Sequence, residues 1–206
     1  FTTGSPWFFG IQTTISAGSA TTIQKSATVA AQNIAVNVPN QPLGAFETNI
    51  KGEAINISGM TLTIATSSGF VLGDLTSVSI VDQNGATVAG PVDANAANTS
   101  LVFTDSMTIP VGKMVYTVKG KVEAGATNGG TYTLTVTPSG WTSPTGNVTG
   151  NSITISQGAF ALNTMTVRAA ALAITVSSTP GAQNLTAGAQ GITFANYQFD
   201  ATQSGE

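Results

Sequence analysis

Residues 131–137 read Thr-Tyr-Thr-Leu-Thr-Val-Thr. Strict alternation of apolar and hydroxyl side chains is the period of a β-strand, whose successive side chains point to opposite faces. Tyr132, Leu134 and Val136 are therefore expected on one face and the threonines on the other. The pattern recurs on both sides of this stretch. In 114–123, Tyr116, Val118, Gly120 and Val122 fall on one face and Thr117, Lys119 and Lys121 on the other. Val78 and Ile80 lead into Asp82-Gln83-Asn84-Gly85, and Asn-Gly is a strong hairpin-turn signal. Leu101 and Phe103 form another short strand. Ile55 and Ile57 alternate, then Ser58-Gly59 shifts the phase to Met60, Leu62 and Ile64, which predicts a bulge within one strand. Further strands are expected at 12–17, 22–30, 34–38, 152–156, 160–168, 171–177 and 191–200. No window of a dozen residues carries a capped amphipathic helical pattern, and Pro91 interrupts the Ala-rich stretch 86–97. The expectation is an all-β fold, an antiparallel β-sandwich.

Composition supports this and removes several chemistries. The chain has 206 residues, 41% apolar, and only 7% charged, against about 25% in ordinary soluble domains. Its polar surface is made from Thr, Ser, Asn and Gln, which suits two-faced sheets better than helices. Six basic and nine acidic residues are scattered without a run of either sign, so a nucleic-acid surface and a polybasic membrane patch are not expected. There is no cysteine and no histidine. That removes disulfides, thiolate zinc sites, the commonest general base and the commonest transition-metal ligand. No stretch approaches about 18 continuous apolar residues, so no membrane-spanning helix is expected.

The chain also contains an internal repeat. Residues 15–38 and 155–176 share Ile15-Ser-x-Gly18 with Ile155-Ser-x-Gly158, and Val29, Ile34, Val36 and Val38 match Val167, Leu172, Ile174 and Val176. Pro42 corresponds to Pro180, and the stretches 55–69 and 191–205 follow in the same order. The period of roughly 138 residues suits one β-sandwich domain. On this reading residues 32–171 form a complete domain. Residues 1–31 are the last strands of a preceding domain, and 172–206 the first strands of a following repeat. The chain then reads as a piece of a longer tandem-domain protein. The alternative is that the two ends complete each other, or a neighbouring subunit, by strand addition.

The run Leu172-Ala-Ile174-Thr-Val176, Thr179-Pro180, Gly188, Ile192-Thr-Phe194, Tyr197-x-Phe199 and Ser204-Gly205-Glu206 resembles the opening of the tandem Ig-like β-sandwich repeats found in long bacterial cell-surface proteins. Asp74-Leu75, Val78, Asp82-x-Asn84-Gly85, Thr108-Ile-Pro110 and Tyr116-Thr-Val118-Lys119 resemble their middle strands. The resemblance implies an Ig-like sandwich with Greek-key connections in an extracellular surface-layer, adhesin or filament protein. It brings no catalytic residue with it.

Candidate chemistry is sparse. A Ser-His-Asp arrangement fails for want of histidine, no local motif singles out a Ser–Lys pair, and the acidic residues are spaced as turn residues rather than as a glycosidase pair. No enzyme is expected. Calcium needs clustered oxygens. Asp74, Asp82, Asp93 and Asp105 lie in or beside expected loops and are its candidates, without an EF-hand string; the competing reading is turn formation. Four Asn-x-Ser/Thr sequons occur, at Asn56, Asn98, Asn147 and Asn184, of which Asn98 and Asn147 fall in expected loops. Trp141 reads as a plug at one end of the core. Trp7, Phe8 and Phe9 are adjacent, so an alternating strand cannot bury all three, and they read as an interface. The apolar residues Phe194, Tyr197 and Phe199 join them as interface candidates.

The expected function is a non-enzymatic extracellular structural protein, part of a self-assembling surface layer or surface filament. It would form a homo-oligomer or polymer through its terminal segments. The alternatives are an adhesin or carbohydrate-binding stalk, whose partner would be a glycan, and a phage or virion surface fibre.

Overall fold

A computed structural model describes residues 18–67, 71–95, 99–169 and 172–200. The described residues are all-β, with helix limited to two three-residue 3-10 turns at 72–74 and 138–140. The first sheet runs in the order β1 (Ser19–Lys25), β3 (Gln41–Lys51), β10 (Gly112–Val122), β6 (Leu75–Val81), β7 (Thr87–Val92), every pair antiparallel. The second runs β2 (Asn33–Ala35), β14 (Met165–Arg168), β11 (Thr131–Val136), β5 (Met60–Thr66), β8 (Ser100–Phe103), with β13 (Phe160–Ala161) also on β11. A small third sheet holds β12 (Thr145–Gly146), β4 (Ile55–Ile57) and β9 (Met107–Ile109). A separate ribbon pairs β15 (Ala173–Val176) with β16 (Tyr197–Asp200).

Alternation becomes a core in the expected way. Tyr132, Leu134 and Val136 of β11 and Tyr116, Val118 and Val122 of β10 are all buried, and residues of both large sheets join one hydrophobic cluster. Phe46 stacks on Tyr116 at 5.3 Å between ring centroids and meets Trp141 at 6.2 Å, so Trp141 is a core residue. The turn at Asn84-Gly85 joins β6 to β7. Gly85 has φ of 84° there, and Asp82 Oδ1 accepts the Asn84 and Ala86 amides.

Several expectations change. The phase shift at Ser58-Gly59 is a change of sheet, not a bulge. Ile55 and Ile57 pair with β9, whereas Met60 and Leu62 pair with β8, and both sets are buried. Residues 41–51, for which no strand was expected, form an eleven-residue strand in the first sheet, between β1 and β10. Pro42 and Gly44 stand in its first turn of pattern, where both residues usually signal a break. Among the described residues two pairings depart from an antiparallel scheme: β2 runs parallel to β14, with Ile34 opposite Val167, and Val36 makes a parallel bridge to Val122. The chain passes through the second sheet there on its way from β1 to β3, both in the first. Residues 152–156 bury Ile153 and Ile155 but form only a bridge at Ser152.

Packing is continuous across residues 31 and 32. β1 pairs with β3 from Ser19↔Lys51 to Lys25↔Phe46, and Ile23 and Val29 are buried in the same core as the residues of 32–168. By contrast no residue from 172 to 200 is buried.

Candidate assembly surface

The ribbon supplies the most exposed apolar surface among the described residues. Its register sets Ile174 opposite Phe199 and Val176 opposite Tyr197. Strand alternation puts these four on one face, while Thr175 and Gln198 lie on the other. They are 56%, 66%, 65% and 62% exposed in that order, and Leu172 and Phe194 nearby are exposed as well. Cross-strand pairs on one face are the unit that stabilises a sheet, yet a two-stranded ribbon is marginal in water without something packed on its face. Of the interface residues expected from sequence, Phe194, Tyr197 and Phe199 are thus exposed, and two of them share a face. Ile174 and Val176 complete that face; their alternation was visible, but their pairing with β16 was not. Trp7, Phe8 and Phe9 lie outside the described residues.

A second feature is buried. Glu53 stands in the turn between β3 and β4 and is only 8% exposed. Its Oε2 accepts the amides of Val148 (2.7 Å) and Thr149 (2.9 Å), and its Oε1 accepts the Thr149 hydroxyl (2.6 Å). The Gly18 amide also donates to it. Glycines make the room: a Cβ at Gly146 would collide with the carboxylate, and one at Gly18 would lie 2.9 Å from Glu53 Cγ. The Thr149 hydroxyl and amide, with the Val148 and Gly18 amides, hold the carboxyl down at about 2, against the ordinary 4.5. Hydrogen bonds to an ionised group favour that form. Glu53 therefore ties the chain leading into β1 to the 147–150 turn. Sequence reasoning missed it, because its partners, the Thr149 hydroxyl and the amides of Gly18, Val148 and Thr149, lie far from it in the chain; a Glu following Gly52 between two strands was the only local signal.

That turn carries one of the sequons. Asn147 is exposed, and its Oδ1 accepts from Asn56 Nδ2 at 2.9 Å, while Asn56 Oδ1 accepts the Thr108 hydroxyl at 2.7 Å. Thr145, Asn56 and Thr108 lie side by side across the small sheet. They line a groove of about 440 Å³ with Ser58, Ser106 and Ser143. Asn98 lies outside the described residues.

Three of the four aspartates accept main-chain amides at separate places. Asp82 caps its own turn, Asp93 accepts the Ser77 amide at 2.6 Å, and Asp105 accepts the Gly90 amide at 2.8 Å. Among the described residues no three Asp, Glu, His or Cys side chains are placed to hold one metal ion. No described helix is long and apolar enough to cross a membrane.

Residues 20–29 and 157–163 meet along one side of the sandwich. Lys25 Nζ donates to Asn163 Oδ1 at 3.0 Å, Asn163 Nδ2 to the Val29 carbonyl at 2.7 Å, and Gln157 Nε2 to the Ala20 carbonyl at 2.9 Å. Comparison with known proteins adds no relative to this geometry: no protein-family model matches the chain and no curated protein matches it.

Proposed function

We propose that this chain is a non-enzymatic structural protein of an extracellular, cell-surface assembly, built on an Ig-like β-sandwich and joining other copies through the segments that flank its central strands. The observation that carries this reading is the uncovered face of Ile174, Val176, Tyr197 and Phe199. Contiguous exposed apolar surface of this kind marks an interaction site, and the alternation that made it is the one that makes core elsewhere in the chain. The charge-poor composition and the absence of His and Cys support a structural role.

Light scattering and electron microscopy test the reading. The wild-type protein is expected to form ordered oligomers or polymers. Replacing Tyr197 and Phe199 together by Asp is expected to abolish them without changing the melting of the sandwich. A wild-type protein that stays monomeric at high concentration overturns the reading. The groove across the small sheet favours one second reading, a glycan-binding stalk, because hydroxyls and the Asn56 amide line it beside Ile57 and Met107, a mixture that suits the polar edge and apolar face of a sugar. Binding to a glycan array by a monomer, lost in Asn56→Ala, would support that reading instead.

A further inference from the structure

We propose that β1 is an exchangeable strand: the edge of β3 accepts residues 19–29 from a second copy of this chain, and this exchange is a joint of the assembly proposed above, on which the inference rests. Three observations lead to it.

The first is how lightly β1 is held. Among the described residues it has a single strand neighbour, β3, and of its own side chains only Ile23 is buried; Val29 follows it into the core after the turn. Its main-chain pairing along β3 is one that any strand of suitable pattern can reproduce, and the side-chain hydrogen bonds that add to it involve Gln24, Lys25 and the Ala20 carbonyl.

The second is that one sequence pattern occupies two seats in the same molecule. Residues 19–25 lie on β3 in the first sheet. In the matching stretch 157–163, Phe160 and Ala161 pair with β11 in the second, through β13. The two segments run beside each other, tied by the Lys25–Asn163, Asn163–Val29 and Gln157–Ala20 hydrogen bonds. A segment type that fits both sheets is not restricted to one partner by its sequence.

The third is geometry. Residues 30 and 31 are exposed and lie between buried Val29 and buried Ile34, so a change at this short link redirects β1 while leaving β2 in place. Exchange of an identical element keeps every contact at the seat and changes only the hinge, which makes it a low-cost route to association. Each copy that gives up its β1 opens its own β3 edge to another, so the exchange propagates.

The absence of cysteine allows a direct test. Gln24 and Glu47 face each other across β1 and β3, with Gln24 Nε2 at 2.8 Å from Glu47 Oε1. The single variants Gln24→Cys and Glu47→Cys are mixed under assembling conditions, oxidised and analysed by non-reducing gel and peptide mass spectrometry. The expected product is a dimer linked 24 to 47. The double variant in one chain provides the second measurement: oxidised as a monomer, it locks β1 onto its own β3 and is expected to lose assembly, which reduction restores. Copies that assemble without a 24–47 link between chains, and a locked double variant that still assembles, overturn strand exchange but leave the assembly reading intact. Copies that remain monomeric by light scattering and give no link overturn both.

Discussion

Residues 55–62 and 192–199 carry the same apolar spacing, Ile55, Ile57, Met60, Leu62 in one and Ile192, Phe194, Tyr197, Phe199 in the other. In the first, all four side chains are 2% exposed or less; in the second, the three aromatic ones are 62–79% exposed. The difference is in the neighbours. β4 lies between β9 and β12, β5 lies between β11 and β8, and the facing sheet closes over them. β16 has only β15. Spacing thus creates an apolar face, but burial needs a second layer, and the free energy comes from area removed from water.

The widest separation between the two regions is expected in their response to truncation. Leu62→Ala removes fully buried methyl groups and is expected to cost about 2–5 kcal/mol. Phe199→Ala is expected to stay within about 0.5 kcal/mol for the monomer, as surface substitutions do. Urea midpoints of the two variants measure both. A comparable loss in each would mean that the ribbon is covered in solution, and would erase the contrast.

Acid should act on the sandwich through Glu53. The folded protein keeps this carboxylate ionised down to about pH 2, while the unfolded chain takes up the proton near 4.5. Protonation therefore favours unfolding across that interval: the contribution is complete above pH 4.5 and is lost as pH falls towards 2. The Thr76 hydroxyl and Lys121 lower Glu123 in the same direction, and Gln24 and Lys113 lower Glu47. Glu53→Gln is expected to lower the melting temperature at pH 7 and to flatten its fall between pH 4.5 and 2. A variant with the wild-type pH profile would show that the carboxylate does not hold the 147–150 turn.

The smallest effect lies at the alkaline end. Burial pushes the Tyr116 and Tyr132 phenols above their usual value of 10, with Asp82 adding to the shift at Tyr116. The unfolded chain ionises first, so stability present below pH 10 is lost as pH rises beyond it. Tyr116→Phe is expected to weaken this slope in thermal melts at pH 10–11. An unchanged slope would place the alkaline sensitivity elsewhere.

How far the sequence was legible depends on the range of the interaction concerned. The strands at 116–122 and 131–136 and the turn at 84–85 follow from period-two alternation and the backbone freedom of Asn-Gly, which act within a few residues. β3 was hidden by Pro42 and Gly44, although Phe46, Thr48 and Ile50 alternate behind them. The apparent bulge at Ser58-Gly59 was misread because a phase shift looks the same whether the strand bends or changes sheet. The aspartates were ambiguous for the same reason: a carboxylate that caps a turn and one that binds a cation have the same local spacing.

By itself the sequence determined the class of fold and the chemistry ruled out. Alternation is a property of the strand period, and a chain without His or Cys lacks those side chains in any conformation. Only the tertiary structure decided that residues 19–31 belong to the same core as 32–168, that β2 runs parallel to β14, and that Glu53 meets Thr149. It also decided which of two equally patterned faces is covered. These depend on which segments far apart in the chain come into contact. Local patterning cannot encode that choice when Ile-x-Ile and Ile-x-Phe satisfy the strand period equally well.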